Sequence, residues 1–89
     1  MEPREIAIQM LHDQIVSDLL TIARQYDHLR QSSPDAYLNK VRTEMRRFLR
    51  MQKQHTPFIR FSQLYDVNQD EFIADVYKSA TQLLDGTKN

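Results

Sequence analysis

Apolar residues recur along this chain at intervals of three and four, and no strand pattern interrupts them. The first run takes in Ile8, Leu11, Ile15, Leu19, Ile22, Tyr26 and Leu29. At about 100° per residue these positions share about 80° of arc, a narrow seam of the coiled-coil kind. Ile6, Met10 and Leu20 lie on the opposite side of the same helix, which is therefore apolar on more than one face. A second run sets Tyr37, Leu38, Val41, Met45, Phe48 and Leu49 on one arc. A last run gathers Phe72, Ile73, Val76, Tyr77, Ala80, Leu83 and Leu84. Between these two, Phe58, Phe61, Leu64 and Tyr65 make a short segment suited to plugging the end of a bundle.

The breaks fall where helices begin and end. Pro3 permits a helix start, and Ser33-Pro34 and Thr56-Pro57 each read as an N-cap followed by proline at the first helical position. Asn68 with Glu71 three residues on resembles a capping box, and Gly86 is placed to close the last helix. Helices are predicted over about 3–30, 34–54, 57–65 and 68–85. The expected fold is all-α, a small antiparallel bundle of three main helices plus a short fourth, in a single domain spanning 1–89. The stripes are its core. The second apolar face of the first helix is where a partner or a second copy would add to that core, so dimerisation through this helix is expected.

Composition narrows the class. With 89 residues, 40% of them hydrophobic and 27% charged, the chain carries enough apolar side chain for one small core. It has no cysteine, which removes disulfides, thiolate zinc sites and cysteine nucleophiles together. No signal-peptide core follows the first residues, and no apolar run approaches the roughly 18–20 residues of a membrane helix. An intracellular, cytoplasmic protein that does not act on membranes is expected.

Charge changes the picture most. The formal net charge is zero, yet residues 40–60 hold seven basic side chains and one acid, between acidic flanks. Lys40, Arg42, Arg46, Arg47, Arg50 and Lys53 sweep about 160° of the second predicted helix, and Arg60 follows beyond it. Three readings stay open. The row is a solvated face paired with Asp13, Asp18, Asp27, Asp70 or Asp75; or it docks an acidic protein; or it neutralises phosphates of a nucleic acid, releasing counterions. A sequence pI of about 6.8 weighs against the last.

Other motifs weaken on inspection. Residues 61–72 follow a helix-turn-helix pattern, but Asp66 stands where a turn glycine is usual and the would-be reading helix opens on Asn-Gln-Asp-Glu. Asp66, Asn68 and Asp70 mimic the start of a calcium loop that lacks its glycine and its bidentate glutamate. His12, His28 and His55 are scattered, and no phosphate loop or nucleophile elbow exists. No catalytic residue, cofactor or metal ligand is assigned, and no enzyme activity is expected.

The reading that results is a non-catalytic protein–protein interaction module: a small regulator, adaptor, inhibitor or complex subunit. Its apolar contacts would be Ile6, Met10 and Leu20, rimmed by the basic face of residues 40–60. The alternative is a nucleic-acid-associated regulator using that face on phosphates. In addition, the run from Leu19-Leu20 through Tyr37-Leu38 to Pro57 and Leu64-Tyr65 resembles the helical-bundle spacing of bacteriocin immunity proteins over about half the chain. That resemblance implies a helical-bundle inhibitor. The pattern here lacks the separate first helix pair of that family.

Overall fold

Three of the helices carry proline at their first or second position, where its missing N–H has no acceptor in the helix to lose. The computed structural model describes residues 2–86 as α1 (Pro3–Arg24), α2 (His28–Ser32), α3 (Pro34–Gln54), α4 (Thr56–Leu64) and α5 (Gln69–Gly86). No strand occurs among the described residues. The chain is a small all-α bundle.

Starts and stops follow local chemistry with two exceptions. Asn68 caps α5: its side-chain oxygen accepts from the Glu71 amide at 3.0 Å, and its carbonyl accepts from Phe72 at 3.0 Å. At α3, Ser33 holds the cap position, but its carbonyl, not its hydroxyl, makes the bond to Tyr37. Helix α4 starts one residue before the predicted place, because the His55 carbonyl already accepts from Ile59, so Thr56 is helical and not a cap. The expected closure beyond Gly86 lies outside the described residues.

The first predicted helix is two. Around Gln25–Asp27 the bonding tightens from i−4 to i−3, with Tyr26 donating to Ala23, Asp27 to Arg24, and Leu29 to Tyr26. This turn redirects the chain, and α2 packs on α3. Tyr26 and Leu29 thereby fold back onto the core, where a straight rod would have carried them off its end.

Helices α1, α3 and α5 pack on one another, and α4 packs on α3. Cross-helix contacts fix the directions. Tyr26 near the end of α1 meets Lys40 near the start of α3, so these two are antiparallel. Lys53 meets Asp70 while Arg46 meets Tyr77, so α3 and α5 are antiparallel as well. The first and last main helices therefore run parallel, and α4 crosses the end of the bundle between α3 and α5. It plugs that end through Phe58, whose ring lies 5.7 Å from Phe72, and Phe61, 6.3 Å from Phe72. Leu64, predicted to join the plug, is instead 75% exposed.

The core comprises Ile15, Val16, Leu19 and Ala23 of α1; Tyr37, Val41, Met45 and Leu49 of α3; Phe58; and Phe72, Val76, Ala80 and Leu84 of α5. On α1 the buried arc is wider than the predicted seam and turned toward Val16 and Ala23. A helix that touches two neighbours needs a stripe of about 100° or more. Leu20 sits at the edge of that arc and is half-buried against the core.

Candidate functional site: the basic groove between α3 and α5

The apolar stripe of α3 divides its cations into two groups. On the side away from α5, Glu44 accepts from Lys40 at 3.3 Å and lies 3.6 Å from Arg47. These are i,i+4 and i,i+3 pairs formed within one helix, so one acid is shared by both cations and this side is partly neutralised. Lys40 also stands 5.6 Å over the Tyr26 ring.

On the side toward α5 lie Arg42, Arg46, Arg50 and Lys53, spaced by one helical turn each. The Arg46 guanidinium sits 5.5 Å over the Tyr77 ring. Lys53 is paired with Asp70. Arg42 and Arg50 have no ion-pair or ring partner among the described residues, and neither has Arg60. The acids of α1 and the turn after it that were expected to neutralise the row are engaged elsewhere. Asp13 is held by Gln9 and His12, Asp18 by Gln14, and Asp27 by Arg30. Asp75 faces His12.

Between these cations and α5 runs a groove of about 300 Å³. Leu49, Ile73 and Ala74 form its floor, with Tyr77 at one end. Arg46, Arg50 and Lys53 form its rim, opposite the single acid Asp70. Lys53–Asp70 and Arg46–Tyr77 bridge the helices two turns apart, so about 10 Å separates the two ends. The site is an apolar slot closed at each end and edged by positive charge.

The predicted apolar contacts lie elsewhere. Ile6 and Met10, 43% and 68% exposed, sit one turn apart on the outer side of α1. Leu20 lines a separate cleft with Leu83 and Leu84. No residue of α1 lines the basic groove. The floor residues Leu49 and Ile73 were legible only as core. Their place beside the basic row follows from the antiparallel register of α3 and α5, which no local pattern encodes.

A second polar cluster joins α1 to α5. His12 Nδ1 lies 3.2 Å from Asp13 Oδ1, and its Nε2 lies 3.3 Å from Ser79 Oγ and 3.8 Å from Asp75 Oδ2. An ionised Asp13 only accepts, so it selects the Nδ1–H tautomer, leaving Nε2 to accept from the Ser79 hydroxyl. The His12 hydrogen bond first, then the Gln9 amide, holds the Asp13 carboxyl below its ordinary value. The order of atoms is that of a nucleophile, a base and an orienting acid. Ser79 lies in the interior of α5, where neighbouring amides are committed to helical bonds. The cluster ties two helices together, with the His12 ring edge-on to Phe72 at 6.3 Å.

A further cleft, about 520 Å³, lies between the start of α1 and the α4–α5 turn. Its one cation, Arg4, is spent on the carbonyls of Tyr65 and Asp66, at 2.8 and 3.3 Å. No group of three or more His, Cys, Asp or Glu side chains converges on a metal position among the described residues. No described helix is long and apolar enough to cross a membrane. No family model, curated protein or solved structure matches the chain.

Proposed function

We propose that this protein is a non-catalytic interaction module, a small regulator, inhibitor or complex subunit, that binds an acidic segment of another protein along the α3–α5 groove. One observation carries the reading: Arg50, without an ion-pair partner among the described residues, rims an apolar floor, while Asp13, Asp18 and Asp27 are engaged with their own neighbours in sequence. An apolar centre with a charged rim is the usual anatomy of a protein-binding patch. The rim cations steer encounter and fix register, and the floor supplies burial.

The floor also favours protein over nucleic acid. A phosphate backbone has nothing to place on Leu49 and Ile73, and the Tyr77 ring is covered by Arg46 where a base would need it open to stack. Fluorescence anisotropy separates the two, using a labelled glutamate-rich peptide and a labelled DNA duplex at about 50 and 200 mM salt. The expected result is peptide binding that weakens at least about tenfold when Arg46 and Arg50 are both changed to Glu, each charge contact being worth up to about 1 kcal/mol. Tight duplex binding that falls by roughly two to three decades between the two salts, as about five phosphate contacts require, would overturn it.

A further inference from the structure

We infer that the groove takes one bulky apolar side chain flanked by carboxylates, and that Asp70 occupies Lys53 until a carboxylate of the partner displaces it. This rests on the reading of the groove as a docking site for an acidic protein, and it names the chemistry of the segment bound there.

Size sets the anchor. About 300 Å³ is the low end of the range in which ligand pockets are found, about 300–1,000 Å³. The two cross-helix bridges close it after about 10 Å, the length of two helical turns. That is room for one large aromatic or aliphatic side chain and not for an extended apolar strip. The side chains of Leu49, Ile73 and Ala74 offer no hydrogen-bond donor or acceptor, so the anchor is apolar.

Charge sets the flanks. Arg42 lies one turn beyond the Arg46 end, and Arg50 lies between the bridges one turn from Lys53; neither arginine has a partner among the described residues. An occupant seated on the floor therefore meets a row of cations along its α3 side, and carboxylates before and after the anchor satisfy them.

Asp70 already shows what such a carboxylate would do. Its side chain is 81% exposed, and Lys53's is 40% exposed. An ion pair that open contributes little to stability, so exchange of one carboxylate for another costs little. The intramolecular acid acts as a placeholder that a bound segment replaces, much as rim charges exchange partners at other interfaces.

The test uses the full chain and a short fluorescein-labelled peptide with glutamates around one central tryptophan. Two companions carry alanine at the centre or glutamine for every glutamate. Four proteins are compared: wild type, Asp70→Asn, Glu71→Gln, and Arg50→Glu. Glu71→Gln makes the same charge change next to Asp70, but Glu71 does not line the groove. Circular dichroism confirms that each variant is folded. The expected result is that both companion peptides bind at least about tenfold more weakly, since a buried large side chain is worth about 1.5–3 kcal/mol. Asp70→Asn is expected to tighten the tryptophan peptide by about two- to fivefold, with Glu71→Gln clearly smaller in effect. Equal binding of the tryptophan and alanine peptides would overturn the anchor while leaving an acidic partner for the basic row. Equal effects of Asp70→Asn and Glu71→Gln would overturn the displacement. Failure of every peptide to bind wild type and Asp70→Asn alike would overturn both the inference and the function it rests on.

Discussion

Asp13 and His12 show how one polar contact on a helix surface becomes dependent on pH. The His12 hydrogen bond and the Gln9 amide both favour the ionised carboxyl, so folding lowers the Asp13 pKa below 3.8. A lowered carboxyl pKa contributes stability that is fully present above the unfolded value and is lost as pH falls through the folded one. Urea midpoints of wild type and Asp13→Asn should therefore differ by a constant amount near neutrality. That gap should close below about pH 4, in the acid range where the carboxyl takes up its proton. A gap unchanged down to about pH 2 would contradict the assignment. At this scale the sequence was partly informative. His12 was legible as a boundary residue beside the apolar seam, but Ser79 and Asp75 reach it from a helix 60 residues or more away along the chain, at a separation of 67 for Ser79. The convergence exists only after α1 and α5 have packed.

Helices are where the amino-acid pattern spoke most directly. The periodic stripes, the prolines at 34 and 57 and the Asn68 cap place α3, α4 and α5 to within one residue. The break in α1 was not legible, since neither glycine nor proline marks residues 25–27 and the apolar period runs through them. What breaks the rod is tertiary: Tyr26 and Leu29 reach the core only if the chain turns, and burial outweighs the cost of a few tightened hydrogen bonds. The turn between α4 and α5 shows the opposite case. Asp66 stands at the position where the helix-turn-helix pattern has glycine, and its φ of 51° lies in the left-handed region. Aspartate tolerates this better than most residues, but a β-branched side chain does not. Asp66→Gly should be neutral or slightly stabilising, whereas Asp66→Val should cost about 1–2 kcal/mol in urea denaturation. Equal stability of the two variants would show that the turn relaxes freely.

For the molecule as a whole, shape accounts for why so much apolar surface stays accessible. The Cα radius of gyration is 14.3 Å, against about 12 Å for a compact domain of this length, and the principal extents are 45 × 27 × 17 Å. Three helices packed pairwise cover only their inward faces, so each keeps an outward side open. The basic groove is the seam between two of those open sides. Its cations were legible as a row at residues 40–60, but the division of that row was not. Glu44 pairs with both Lys40 and Arg47 on one side, and α5 gives Arg46, Arg50 and Lys53 an apolar neighbour on the other. Charge pattern names the residues of a surface; packing decides which of them share it.

The central claim is that this seam, and not the outer face of α1, receives the partner. An amide-resolved NMR titration of the labelled protein with the tryptophan-centred acidic peptide tests it most directly. The account predicts saturable shifts confined to residues 42–53 of α3 and 69–77 of α5, with the amides around Ile6 and Met10 unmoved. Shifts centred on Ile6 and Met10, or none at a peptide excess that saturates the anisotropy signal, would contradict it.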